Sequence, residues 1–298
     1  MPTPPPALPA ADLRRFHDDV LDWFGRAARD LPWRRDTSPW AVMVSELMLQ
    51  QTPVVRVLPV YEAWMERWPT PAALAAEPTG EAVRAWGRLG YPRRALRLHA
   101  AAVAIVERHG GEVPQAPEEL LALPGVGEYT AAAITSFAFS GRAVVMDTNV
   151  RRVFARVVSG TQFPATNVTA TERALATSLL PAHDAHVWAA ATMELGALVC
   201  TARSPRCEEC PVAPICRWRA AGHPEHDGPA RRGQAWEGTD RQCRGRLMAV
   251  LRDAPGPVPK AALDAVWPDP TQRERALDGL VADGLVEPVG DDDFALPR

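Results

Sequence analysis

Leu123-Pro124-Gly125-Val126-Gly127-Glu128-Tyr129-Thr130-Ala131 decides the reading of this chain. Proline and two glycines make a turn, and the apolar run from Glu128 onward opens a helix. Glycine lets a backbone approach another chain closely and turn its N–H groups outward. The start of the next helix adds partial positive charge, so Gly125, Val126 and Gly127 suit a phosphate oxygen. A Gly-x-Gly alone is a weak signal and equally marks an ordinary tight turn. Helical spacing governs what lies on either side. Leu13, Phe16, Val20, Trp23 and Phe24 recur as one helix face, and Ser38-Pro39 opens a helix that Pro53 ends or kinks near Thr52. Further helices are predicted near 54–67, 80–86, 92–109, 128–140, 148–159, 168–180 and 185–199. Short Gly/Pro connections such as Gly90-Tyr91-Pro92 separate them. With no alternating pattern before residue 280, the body is all-α.

After about residue 219 the character changes. Residues 220–240 are rich in Gly, Pro, His and Arg without periodicity and read as a linker. Beyond it, helices near 243–253, 259–266 and 271–283 and two strand-like pieces near 285–289 and 293–296 suggest a small winged-helix-like module at 241–298. A plain helical cap is the simpler reading. No apolar run reaches the ~18 residues of a membrane span, and the proline-rich start, Met1 to Pro9, lacks a signal-peptide pattern. The expectation is a cytoplasmic bacterial protein without a membrane partner.

Net charge is −3, which by itself argues against a nucleic-acid partner. Its distribution says more. Between Arg84 and Gly110 stand six arginines (84, 88, 93, 94, 97, 108) against Glu107 alone, whereas residues 253–298 hold ten acids against four bases. A basic middle and an acidic tail fit a core that meets phosphate, although a solvated helix face would look the same. Lys260 is the chain's one lysine.

Four of the five cysteines crowd into Cys200, Cys207, Cys210 and Cys216, spaced C-x6-C-x2-C-x5-C. Four thiolates can hold zinc or a 4Fe-4S cluster. Zinc sites of this type usually come as two close pairs across a longer loop. One compact loop better suits wrapping an iron–sulfur cube, with zinc left open. Cys243 reads as a buried or free thiol.

Here a resemblance enters. The cysteine spacing and the L-P-G-V-G turn are similar to those of the endonuclease III and MutY superfamily of helix-hairpin-helix base-excision enzymes. Leu31-Pro32-Trp33-Arg34 and Ser45-Glu46-Leu47-Met48-Leu49-Gln50-Gln51-Thr52 resemble the signature of MutY-type adenine DNA glycosylases. The likeness covers residues 12–219. It implies a two-lobed helix-hairpin-helix glycosylase fold, a cluster loop at 200–216 holding a 4Fe-4S cluster, and a monomer acting on double-stranded DNA that contains a mispaired adenine.

The resemblance also assigns roles. Asp147, in Val145-Met146-Asp147-Thr148-Asn149-Val150, would face the sugar of the extruded nucleotide and steady its developing cation; otherwise it reads as a helix N-cap. Asn149 would orient the carboxylate or the attacking water. Lyase members carry a lysine nucleophile where this chain has Tyr129, which implies a glycosylase without Schiff-base chemistry. Glu46, set among apolar residues, would act as the general acid on the leaving adenine, since burial favours the protonated carboxyl. Gln51 and Tyr91 match positions that wedge into the base stack, although Pro92 stands where relatives often carry a second tyrosine. Trp33, Arg34, Leu49 and Val54 match positions lining the adenine pocket; plain core packing is the bland reading of the apolar ones. Ala189-Ala190-Ala191, ahead of Glu194, stands where polar residues are expected. The acidic tail has neither the length nor the strand pattern of the Nudix-like domain many relatives add, so preference for adenine opposite 8-oxoguanine over guanine rests on family alone. A thymine or oxidised-pyrimidine glycosylase and a non-enzymatic, metal-stapled DNA-binding protein are the competing readings.

Overall fold

The computed structural model describes residues 7–226, 228 and 236–298. Met1 to Pro6 and most of 227–235, the middle of the expected linker, lie outside the described residues. In chain order the helices are α1 (Ala10–Ala27), α2 (Pro32–Arg35), α3 (Pro39–Leu49), α4 (Val54–Arg67), α5 (Pro71–Ala75), α6 (Thr79–Trp86), α7 (Arg93–His109) and α8 (Pro117–Leu121). Then come α9 (Glu128–Phe137), α10 (Thr148–Phe154), α11 (Ala170–Ser178), α12 (Ala185–Leu198) and α13 (Arg217–Ala220). The C-terminal segment runs α14 (Asp240–Asp253), β1 (Val258–Pro259), α15 (Lys260–Asp264), α16 (Pro270–Ala282), β2 (Glu287–Val289), β3 (Asp293–Ala295).

Two compact units divide the chain, and neither is continuous. The first comprises residues 1–42 and 127–229, the second 43–126 and 230–298. In the first, the α1 face predicted from spacing buries Phe16 and Val20 against α10, α11 and α12. The Phe16 ring sits edge-on to Trp188 at 4.9 Å and to Phe154 at 6.3 Å. Such pairs contribute roughly 0.5–1.5 kcal/mol each beyond burial. The second unit is built on tryptophan: Trp64 meets Trp68 at 4.6 Å and Trp86 at 5.8 Å, all three buried. Its longest helix, α7, is alanine-rich, which minimises side-chain entropy loss and lets α5 and α6 pack close. Gly110 ends α7 in the left-handed conformation that glycine adopts without penalty.

The C-terminal segment packs within the second unit rather than as a separate body. The Arg84 guanidinium donates to the carbonyls of Arg252 and Ala254, and the Gly80 N–H donates to the Pro297 carbonyl at 2.6 Å. Its three strands form an antiparallel sheet in the order β1-β3-β2, with Val258 opposite Phe294 and Pro288 opposite Phe294. The α-β-α-α-β-β order is winged-helix-like. β1 corrects the expectation of no strand before residue 280: two residues, one a proline, carry no periodicity to read.

Two helix ends also differ from expectation. α9 stops at Phe137, before Ser140, a non-glycine residue at φ 52°. α10 passes at Ala155 into a π-helical turn ending at Gly160. Among the described residues no helix is long and apolar enough to cross a membrane.

Candidate active site and iron–sulfur loop

Asp147 is the N-cap of α10 and accepts the Val150 N–H at 2.6 Å. So the capping reading and a chemical one apply to the same side chain. Its other oxygen accepts from Asn149 Nδ2 at 2.7 Å; Asn149 Oδ1 in turn accepts from Arg152 Nη2 at 2.8 Å. Arg152 also donates to the Gly196 carbonyl at 2.6 Å and, through Nε, to the Cys200 carbonyl at 2.7 Å. Burial pushes the Asp147 carboxyl above its ordinary range; the bonds from Val150 and Asn149 and the charge of Arg152 oppose that shift without cancelling it. Arg152 was missed in the sequence; the one signal for it is its place three residues after Asn149, on the same helix face. Gly196 has no room for a side chain, since a Cβ there would meet Asn149 at 2.6 Å.

Tyr129, on α9, is half-buried against Ala133, Val145 and Ala189. Of the alanine run ahead of Glu194, Ala189 and Ala191 are buried on α12 among apolar neighbours.

Trp33 is buried on the short helix α2. Arg34, expected to line a base pocket, is committed to Glu194: its Nη2 lies 2.9 Å from one carboxylate oxygen and its Nη1 3.1 Å from the other. Arg29 donates to the same carboxylate through its backbone N–H (2.9 Å), Nε (2.8 Å) and Nη2 (2.6 Å). Glu194 is fully buried, and the two arginines outweigh its desolvation, holding it down to about 2. The sequence did not point to Glu194 as the residue that anchors the Trp33 segment onto α12.

In the second unit, Glu46 is buried on α3, which is apolar on every side: Val42 through Val44 and Leu47 and Met48 are buried as well. Glu46 and Asp147 belong to different units. Leu49 and Val54 are half-buried and flank the turn between α3 and α4. At that turn Gln51 is exposed at φ 54°, and Tyr91, half-exposed between α6 and α7, sits at φ 48°. A side-chain-bearing residue held there costs roughly 1–3 kcal/mol and persists only where surrounding contacts impose it.

Of the six arginines read as a phosphate-facing stretch, three are spent inside the second unit. Arg84 braces the C-terminal segment. Arg93 pairs with Asp283 at 3.2 Å. Arg94 is buried among backbone carbonyls of residues 47–50 and 90. Composition counts charges and cannot tell which point inward.

The glycines of the turn divide their labour. Gly125 has φ 82°, and a Cβ there would meet Arg97 at 2.8 Å, so the fold itself demands glycine. Gly127 is the exposed N-cap of α9 in extended backbone, with nothing within 4 Å of where a Cβ would stand. Val126 is buried beneath them.

The four clustered cysteines line one cavity together with Arg156, Val157, Val199, Val212 and Trp218. Among the described residues no three Cys, His, Asp or Glu side chains close on a point that would hold one metal ion. Thiolates on a single zinc lie ~2.3 Å from it and so within ~4 Å of each other. Four sulfurs around a larger hollow fit an iron–sulfur cube instead. Burial pushes the Cys210 thiol up to about 12 and raises Cys207 and Cys216, so ionised ligands need a cationic core. Arg156, in the π-helical turn, supports the loop from below, donating to the Thr201 carbonyl at 2.8 Å and to Cys200 Sγ at 3.4 Å. Its guanidinium stacks over Trp218 at 4.5 Å.

A turn of this form ahead of a helix, an aspartate capping the helix beyond, and a four-cysteine loop against that helix define a class: the helix-hairpin-helix DNA glycosylases with an iron–sulfur loop. Residues 44–179 match the family model of the HhH-GPD superfamily base excision DNA repair proteins, and residues 200–216 that of the iron–sulfur binding domain of endonuclease III. The structure is similar to a thermostable thymine-DNA glycosylase (TM-score 0.64, 27% identity, 71% of this chain and 98% of that one) and to endonuclease III in a non-covalent DNA complex (TM-score 0.62, 25% identity, 72% and 99%). In sequence it is 52% identical to an adenine DNA glycosylase of Mycobacterium tuberculosis over 94% of this chain and 92% of that one. It is 54% identical to one of Mycolicibacterium smegmatis (93% and 94%) and 42% identical to one of Homo sapiens (70% and 40%). The chain belongs to the adenine DNA glycosylase family and carries a 4Fe-4S binding domain of the endonuclease III type, whose residues 200–216 include the four clustered cysteines.

Proposed function

We propose that this protein hydrolyses the N-glycosidic bond of adenine mispaired with 8-oxoguanine or guanine in duplex DNA, in the cytoplasm, as a monomer and without lyase activity. Adenine departs poorly as an anion. A carboxylic acid that protonates N7 makes it a neutral leaving group, and a nearby carboxylate steadies the cationic sugar until water adds. Glu46 is assigned the first role and Asp147 the second, with Asn149 holding the Asp147 carboxylate in one orientation. The buried acid on apolar α3, leading directly to the exposed, strained Gln51, is the observation that carries this reading. Trp33, Leu49 and Val54 would shape the base pocket, and Arg34 would brace it through Glu194. The N–H groups of Gly127 and Glu128, where α9 begins, would take a phosphate, which accounts for a glycine the fold itself does not need.

Lack of lyase activity is supported twice. Tyr129 occupies the position of the lyase lysine, and the chain's one lysine is engaged elsewhere. Lys260 Nζ lies 2.5 Å from Glu274 Oε1 and 3.0 Å from Asp264 Oδ1, and these hydrogen bonds raise its pKa and keep it protonated. Cys200, Cys207, Cys210 and Cys216 would hold the 4Fe-4S cluster, whose iron would offset the charge of four thiolates and fix the loop 200–216.

The test is a panel of duplexes carrying adenine opposite 8-oxoguanine or guanine, thymine opposite guanine, or an oxidised pyrimidine. Adenine release with strand breakage only after heat or alkali is expected. A covalent adduct trapped by borohydride would contradict the monofunctional assignment, and pyrimidine release the adenine assignment.

A further inference from the structure

Arg94 is buried, and no salt bridge to a carboxylate is found for it among the described residues. Its Nη1 donates to the carbonyls of Leu47 (2.9 Å), Met48 (3.0 Å) and Gln50, at the open C-terminal end of α3. Its Nη2 donates to Thr52 Oγ1 at 2.9 Å and to the Gly90 carbonyl at 3.0 Å. The guanidinium lies over Trp86 at 5.1 Å and Tyr91 at 5.5 Å, while Trp86 Nε1 donates to the same Gly90 carbonyl at 3.0 Å. A buried cation whose two terminal nitrogens donate to neutral acceptors, and whose Nε has no partner among the described residues, is costly to bury, and these acceptors have one thing in common. They belong to two segments, the end of α3 with its following turn (47–52) and 90–91, each presenting one exposed non-glycine residue in the left-handed region, Gln51 and Tyr91.

We infer that Arg94 is a positioning residue: its guanidinium ties the Gln51 loop to the Tyr91 loop and holds both side chains ready to enter the base stack. This rests on the wedge assignment of Gln51 and Tyr91. A planar fork reaches both loops at once, whereas a lysine ammonium, a point donor, satisfies one side only. The role is therefore sensitive to a substitution that keeps charge and approximate size.

The experiment uses the full, cluster-loaded chain. Unstacking is read as the fluorescence rise of 2-aminopurine placed at the target position, and adenine release is read under single-turnover conditions. Arg94→Lys is expected to lower unstacking and release from a paired duplex by roughly 10- to 100-fold, the scale of a small misplacement of binding groups. On a duplex whose neighbouring mismatches already unstack the adenine, the loss should shrink to under about threefold, because flipping costs least there. In a Q51A/Y91A background R94K should add nothing. Equal losses on paired and pre-unstacked duplexes, or full additivity, would overturn the positioning role. Unchanged unstacking in Q51A/Y91A itself would bring down the wedge assignment and this inference with it, a result distinct from either. Should R94K fail to fold, Thr52→Val removes one anchored acceptor and should show the same paired-duplex selectivity in smaller measure; its absence counts against the proposal.

Discussion

Asp147 does two jobs that pull in opposite directions. As a cap it stabilises α10, and as a buried carboxylate it is costly to ionise. An acid whose pKa is higher in the folded than in the unfolded protein weakens folding as pH rises from its unfolded value through its folded one. Asp147→Asn removes that titration. It also sets two amide N–H groups against each other at Asn149, so the pH trend is the readout rather than the absolute offset. The stability of D147N relative to the native protein should rise between about pH 4 and 8 while adenine release is lost; denaturant titrations across that range measure it. A relative stability that falls as pH rises would show that the Asp147 carboxylate is favoured, not strained, by its surroundings. In activity, the acid limb of kcat/KM should fall at a pH above the usual aspartate range. At this scale the four cysteines stood out by spacing, whereas Asp147 and Asn149 were singled out only through the family resemblance. Arg94, Arg152, Arg156 and Glu194 did not stand out, because a charged letter carries no mark of facing inward.

At the scale of elements, the chain spends buried charge to fix segments that propensity leaves undefined. α2 is four residues long and could not persist alone. Glu194, on α12, seizes it through Arg34 and its approach through Arg29. Breaking such a buried pair by removing one partner costs roughly 3–5 kcal/mol, so Glu194→Gln should lower stability by that order at pH 7. With the folded carboxyl at about 2, the stabilisation is complete above the ordinary glutamate range, near 4.5, and drains away as pH falls toward 2. The gap between E194Q and the native protein in guanidinium melts should therefore close on acidification; a gap independent of pH would assign the cost to packing. The long amphipathic helices α1, α4 and α7 were readable from periodicity. β1 and the π-helical turn after α10 were not, since neither has a period, and both depend on partners distant in sequence.

Over the whole molecule, the second unit closes only when residues beyond 236 return to α6 and α7, which is why the charge contrast between middle and tail misleads. Of the six arginines of the basic stretch, Arg94 is buried and Arg84 braces the C-terminal segment, and part of the acidic tail answers the stretch, as Asp283 does for the exposed Arg93. The cofactor loop and the turn were visible because each is a local pattern, and Glu46 and Asp147 were proposed through family resemblance; the division into two discontinuous units was not visible, because it is set by returns of the chain. The central claim of the proposed mechanism is that Glu46 hands the leaving adenine its proton. Single-turnover release of adenine from an 8-oxoguanine:adenine duplex by E46Q, measured beside its affinity for the same DNA, tests that claim most directly. Release should drop by at least ~100-fold, the upper part of the usual contribution of a general acid, with affinity held within about threefold. Release at the native rate would mean that the proton comes from elsewhere.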